Sequence, residues 1–441
     1  MMRATSTNRM VTSRNPRSGW ARAGAVGAIC AGGAFLASAG ALALGARVMA
    51  RLPLVPSQSI RQRPDIPVRA VHADRVHLDE TPETARGGYL SLRQQGGAVH
   101  WRLGPVSGRP TPTTVSRPVI GRDTDLDLEV GRASSNGFFW AGSPRTAHGL
   151  PLEEVEVASP VGPMPAWLVR SPDPAGTAGE TSRTWAILVH GHGATRGEAL
   201  RAIPLLHALG ITTLTITYRN DTGASDSADR MHHLGVAEWE DAEAAIEHAL
   251  AAGAQRLVLM GWSMGGGIVL RTSVLSAHRE QIAALVLDSP AVDWRDILIY
   301  HATALKAPAP MKKLALWMMS SPAGARLVRL HEPIALDEMR PEFYARTLAH
   351  RTLLLHAMDD TTVPPGPSRR LADLRPDLVD FVPFPGASHT REWNRDPQRW
   401  ERTVAAHLAE VLELGVDVDT LPLPVRAPGA PAQEGSIGLR L

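Results

Sequence analysis

The stretch Leu257-Val258-Leu259-Met260-Gly261-Trp262-Ser263-Met264-Gly265-Gly266-Gly267-Ile268-Val269-Leu270 decides the fold. Its first four residues read as a buried strand and its last residues as the start of a helix, which leaves Ser263 on the sharp turn between them. Such a turn, a nucleophile elbow, strains the serine backbone, and only small residues at positions like Gly261 and Gly265 let strand and helix approach. It also leaves the Met264 amide at a helix N-terminus, aimed where a tetrahedral oxyanion would form. A G-x-S-x-G pattern also arises by chance in a chain rich in Gly and Ala. The reading therefore requires partners, identified by role and order.

Elbows of this kind are served by a carboxylate and then an imidazole supplied further along the chain. Thr352-Leu353-Leu354-Leu355-His356 reads as a buried strand ending in Ala357-Met358-Asp359-Asp360-Thr361-Thr362-Val363-Pro364, and Asp360 is the expected acid. Asp359 beside it and Asp288, at the end of the earlier strand Leu285-Val286-Leu287-Asp288, stay open as alternatives. A second strand, Asp380-Phe381-Val382-Pro383-Phe384, gives way to Pro385-Gly386-Ala387-Ser388-His389-Thr390, a turn able to present an imidazole, and His389 is the expected base. His350, His356 and His407 fit that position less well. The second oxyanion donor is expected from the loop after the strand Trp185-Ala186-Ile187-Leu188-Val189-His190. There Gly191-His192-Gly193-Ala194 lets the backbone turn so that the His192 amide faces the hole. His190 reads as a packing and hydrogen-bonding residue. No metal or cofactor is expected, since the chain has neither H-E-x-x-H nor a Cys/His spacing and holds one cysteine.

With these motifs in order, residues 151–412 resemble the α/β-hydrolase superfamily, in the branch of single-domain esterases and serine peptidase-like enzymes. Tyr218-Arg219-Asn220-Asp221 with Gly235, Glu238, Trp239 and Asp241 is similar to membrane-anchored actinobacterial hydrolases. Gly265-Gly266 resembles prolyl-oligopeptidase-like peptidases as well as esterases, so the resemblance leaves the scissile bond open. It implies an α/β-hydrolase fold, a mostly parallel central sheet flanked by helices, acting on a small acyl ester or similar substrate. Alternating strand-like and helical runs agree with this architecture. In the helical run 236–252, Glu238, Asp241 and Glu243 are expected to face solvent. Residues 291–349, with Trp294, Tyr300, Met311, Trp317, Met318 and Met319, are too long for a simple connection and read as a helical lid insertion.

Outside that region, residues 1–22 carry Arg3, Arg9, Arg14, Arg17 and Arg22, and residues 23–46 carry no charge. A bilayer core needs about 20 apolar residues and a signal-peptide core about 7–15, so the length favours a transmembrane signal anchor. Ala41-Leu42-Ala43 offers a cleavage site as the alternative. The basic flank places the catalytic domain outside the cytoplasm, although Arg47 and Arg51 blunt the asymmetry. Residues 52–150 read as a β-containing N-terminal accessory region, with a hairpin around Gln94-Gln95-Gly96-Gly97, and residues 415–441 as a mobile Pro-rich tail. Net charge is +2, and the basic residues, all arginine apart from Lys306, Lys312 and Lys313, are dispersed. Nucleic-acid binding is not indicated. Oligomeric state is not legible.

Overall fold

A computed structural model describes residues 40–56, 64–172 and 182–421. Two sheets organise the chain. The first holds β1 (Ile66–Val71), β2 (Arg75–Asp79), β3 (Leu90–Gln94), β4 (Val99–Leu103), β5 (Gly108–Thr111), β6 (Thr114–Arg122) and β7 (Gly131–Ala133). It is antiparallel and barrel-like, in the order β3-β4-β6-β2-β1-β7 with β5 on β6, and closes over its own core of Val68, Leu78, Leu92 and Trp101. The expected hairpin is β3 paired with β4, turned by Gln95, Gly96 and Gly97 at positive φ.

The second sheet holds β8 (Glu153–Ser159), β9 (Gly162–Val169), β10 (Thr184–Val189), β11 (Thr212–Ile216), β12 (Arg256–Trp262), β13 (Ile282–Asp288), β14 (Arg351–Ala357) and β15 (Val379–Phe384). Its order is β15-β14-β13-β12-β10-β11-β9-β8, parallel from β15 through β11. β9 and β8 add an antiparallel edge. The central strands are buried on both faces, which is why they read as continuous apolar runs. Ile187 and Leu259 pack into one core, Leu188 and Met260 into the other, following the period of two.

The order places the site. From β10 the chain steps out to β11, then returns to lay β12 on the opposite side of β10. The carboxyl ends of β10 and β12 therefore flank a topological switch point, where open parallel sheets hold their ligands.

Residues 291–349 form the helices Trp294–Ala304, Ala309–Ser320, Pro322–Val328 and Pro341–Thr347, stacked on the first face. Trp294, Met318 and Met319 are core residues there, whereas Tyr300 and Trp317 are exposed. The accessory sheet reaches the opposite face, where Tyr89, Phe139 and Trp140 surround the buried Trp393.

Two expectations are corrected. Glu238 and Asp241 do not face solvent: both are buried, while Glu243 is half-buried. Glu238 accepts the amides of His233 (2.7 Å) and Gly235 (2.8 Å), and Asp241 pairs with the Arg219 guanidinium (2.9 Å) and accepts the Ser159 hydroxyl (2.5 Å). Helical periodicity cannot show a partner that arrives from a loop. In the tail, Val416, Val418 and Leu421 pack against the second-face core; residues 422–441 lie outside the described residues.

Residues 40–51 are helical, with Ala46 and Ala50 buried against the first face. The Ala41-Leu42-Ala43 motif lies in this helix. The basic segment 1–22 and positions 23–39 of the expected span lie outside the described residues, among which no helix is long and apolar enough to cross a membrane.

Candidate active site

β12 ends at Trp262 and the helix Met264–Leu275 begins one residue on, with Ser263 between them at φ 53°, ψ −119°. An L-residue adopts that backbone only when its surroundings over-determine it. They do so here. A Cβ on Gly261 would strike the Gly265 carbonyl, one on Gly265 the Val189 and His190 carbonyls, and one on Gly266 would lie 2.7 Å from Pro290 Cβ. The Ser263 amide donates to the Asp288 carbonyl (3.0 Å), and the Ala291 amide donates to the Ser263 carbonyl (2.9 Å). The hydroxyl is thereby held at the carboxyl edge of the sheet.

His389, on the loop after β15, and Asp360, on the loop after β14, converge on it. Ser263 Oγ lies 2.8 Å from His389 Nε2, and His389 Nδ1 lies 2.7 Å from Asp360 Oδ2. The Thr362 and Val363 amides, each 2.8 Å away, donate to Asp360 Oδ1. Burial alone would raise the Asp360 pKa; the hydrogen bond and charge of His389, with the Val363 amide, outweigh burial and hold it below the ordinary carboxylate value. An ionised carboxylate at Nδ1 keeps the ring proton there and leaves the Nε2 lone pair facing the serine.

The alternative acids are occupied elsewhere. Asp359 Oδ2 accepts the Gly386 amide (2.8 Å) and thus braces the His389 loop. Asp288 is fully buried and its Oδ2 accepts the Trp400 indole N–H (2.8 Å). Glu392 packs beside it, and burial together with the Asp288 charge pushes the Glu392 pKa well above the ordinary carboxylate range. His356 binds Ser368 Oγ (2.9 Å) and the Val363 carbonyl (3.0 Å), and His407 lies near Asp380.

The loop after β10 lies against Ser263: a Cβ on Gly191 would come within 3.0 Å of Ser263 Cβ. The Gly191 carbonyl accepts from Tyr218 Oη (3.0 Å) and from His190 Nδ1 (2.9 Å), which fixes the peptide plane to His192. Across a trans peptide the His192 amide points away from those donors. Met264 opens its helix, so its amide is among those without an intrahelical acceptor.

His190 carries more than packing. Both its ring nitrogens face acceptors, Nδ1 the Gly191 carbonyl and Nε2 the Asp221 carboxylate at 2.8 Å. Only an imidazolium satisfies both. Full burial opposes that charge, but Asp221 and the carbonyl outweigh it and raise the His190 pKa. A second buried pair lies alongside. Glu198 accepts the Gly191 amide (2.8 Å) and pairs with Arg201 (3.2 Å), and Arg201 donates to the Thr390 carbonyl (2.6 Å), one residue past His389. One ion pair therefore ties the loop after β10 to the loop bearing the imidazole.

The accessory region braces that loop from outside, through the connection between β2 and β3. Glu83 pairs with Arg391, and the Tyr89 amide donates to the Asn394 carbonyl (2.7 Å). Sequence reasoning did not assign roles to Glu198, Arg201, Glu83 or Arg391. Their only sequence signal is position near the relevant loops.

Residues 201–415 match the prolyl oligopeptidase family, and they contain Ser263, Asp360 and His389. The fold is that of the α/β-hydrolases. The accessory sheet coincides with a match to a domain of unknown function, DUF8805, at residues 67–136. No curated protein matches the chain. Among solved structures the hydrolase is similar to an esterase of Pyrococcus furiosus, Pf2001, at 17% identity and TM-score 0.47, covering 62% of this chain and 95% of that one. It is also similar to a puromycin-hydrolysing peptidase of Mycobacterium tuberculosis, at 19% identity and TM-score 0.47, covering 80% of this chain and 54% of that one. A third is Est1E of Butyrivibrio proteoclasticus with ferulic acid bound, at 16% identity and TM-score 0.44, covering 59% of this chain and 99% of that one.

Proposed function

We propose that this serine hydrolase cleaves a carboxylic ester through an acyl-enzyme. The carrying observation is the unbroken relay from Ser263 Oγ through His389 to Asp360, with links of 2.8 and 2.7 Å. His389 removes the hydroxyl proton as Ser263 attacks the acyl carbon, and returns it to the leaving alcohol. It then activates a water that releases the acid. The Met264 and His192 amides stabilise the oxyanion, with the His190 imidazolium beneath them adding favourable potential.

An ester asks less of this machinery than an amide, because an alkoxide departs with less help from the acid. The prolyl oligopeptidase match supports the second reading, a peptidase or amidase. Turnover of a panel of acyl p-nitrophenyl esters against aminoacyl amides separates them; faster amide turnover overturns the ester reading. A fluorophosphonate probe should label the wild type and spare Ser263→Ala. Absence of labelling in both would make the chain a binding module that has kept the fold.

The same proposal anchors the chain in a membrane through residues 23–46, with the catalytic domain outside the cytoplasm, supported by the uncharged stretch and the arginines before it.

A further inference from the structure

The helix at residues 40–51, which continues the uncharged stretch, lies across the lid. Met49 and Ala50 line a groove with Leu298, Ala315 and Met319, and a Cβ on Gly45 would meet Met311 Cε at 2.6 Å. The last turn of residues 23–46 is thus already in contact with the lid. Arg47 Nε donates to the Leu327 carbonyl (2.8 Å) and Arg51 Nη1 to the Val328 carbonyl (2.5 Å), at the carboxyl end of the helix Pro322–Val328. Cations are stabilised at that end of a helix dipole. Both arginines are committed to the lid, which accounts for basic residues immediately after an apolar segment.

The outward side of this assembly is unusual for a water-soluble surface. Leu44 and Val48 are exposed one turn apart along the helix and Leu52 just past its end, and the lid adds Ile299, Leu305 and Trp317, with Leu305 68% exposed. The chain's three lysines, Lys306, Lys312 and Lys313, all fall within the lid residues 291–349, and its other Lys/Arg cations are arginine. Lys313 is one turn from Trp317 on the helix Ala309–Ser320, and Lys312 borders the groove. Apolar side chains with interleaved tryptophan and lysine form the surface that settles into the headgroup region of an anionic leaflet.

We propose that this face is a second membrane contact, on which the lid lies against an anionic phospholipid bilayer. The inference rests on the anchoring by residues 23–46 proposed above. A chain that enters the bilayer before residue 40 brings the lid to its surface, because the helix that begins at residue 40 already rests on the lid. The lid side of the hydrolase also connects to the site: His301, on the helix Trp294–Ala304, binds the Thr362 carbonyl (2.8 Å), two residues from Asp360.

The test uses the full chain in vesicles of phosphatidylcholine with phosphatidylglycerol. Cys30 is the single cysteine, so Cys30→Ser permits one fluorescent label each at Leu305→Cys, Trp317→Cys and, as control, Val130→Cys on the accessory sheet. Labels at 305 and 317 should shift to the blue and be quenched by brominated acyl chains, while the label at 130 should not. Lys312→Glu with Lys313→Glu should weaken that quenching on anionic vesicles about tenfold or more and leave turnover of a soluble short ester unchanged.

Protein that floats with the vesicles and resists carbonate extraction while all three labels stay equally open to aqueous quencher overturns the lid contact and leaves the anchor standing. Protein that does not float overturns both. A blue shift that grows with protein concentration and needs no lipid assigns the face to a second copy of the chain, and also overturns the proposal.

Discussion

Asp360→Asn isolates the relay. Asp360 Oδ1 accepts the Thr362 and Val363 amides at 2.8 Å, so an asparagine at this position keeps its carbonyl oxygen there and turns its amide toward His389 Nδ1, 2.7 Å from the present Oδ2. That amide can only donate. The imidazole must then accept at Nδ1 and carry its proton on Nε2, which faces Ser263 Oγ at 2.8 Å, and the serine loses its base. Wrong-tautomer substitutions of this kind cost about 10⁴-fold in turnover, roughly 5.5 kcal/mol of transition-state stabilisation. No neighbouring carboxylate compensates, because Asp359 is held by the Gly386 amide and Asp288 by Trp400. The measurement is kcat for a short p-nitrophenyl ester, normalised to folded protein by circular dichroism, with KM expected near wild type. A loss below about tenfold would refute the tautomer argument. A larger loss in Asp288→Asn than in Asp360→Asn would show that the acid had been misassigned.

Other predictions concern the buried charges around the site. Glu198→Ala releases the Gly191 amide and strands Arg201, and should lower kcat about 10²-fold through a misplaced oxyanion loop, with the melting temperature falling in parallel. Asp221→Asn removes the counterion that keeps His190 an imidazolium, and urea titration should show a loss of about 3–5 kcal/mol; an unchanged midpoint would refute the buried ion pair. Burial raises the Glu401 pKa to about 8 despite the Trp393 indole donating to it, so the folded state binds a proton that the unfolded state releases near its ordinary, lower pKa. Its penalty is absent below that lower value and grows as pH rises toward 8. Glu401→Gln should therefore melt with wild type at acid pH and above it at pH 8, by about 2–4 °C for each kcal/mol recovered; equal melting at both pH values would exclude a titrating Glu401.

The three residues that converge at the carboxyl edge of the sheet were legible because each sits at a break in a pattern. Ser263 interrupts an apolar run with glycines on either side, and Asp360 and His389 follow β14 and β15 in turns marked by proline and glycine. The parallel sheet was legible for the same reason: strands buried on both faces leave uninterrupted runs of Leu, Val and Ile. Glu238 and Asp241 misled because helical spacing reports which way a side chain points, and their partners, His233, Gly235 and Arg219, come from loops.

By itself, the sequence determined the strand–elbow–helix, the order of serine, carboxylate and imidazole, and the alternation that builds the sheet, since these depend on local spacing and burial. Only the tertiary structure decided which carboxylate meets His389, that Glu198 and Arg201 couple the loop after β10 to Thr390, and that the helix at 40–51 rests on the helices of residues 294–328. Those are contacts between residues distant in the chain, set by sheet order and packing, and no local pattern carries them.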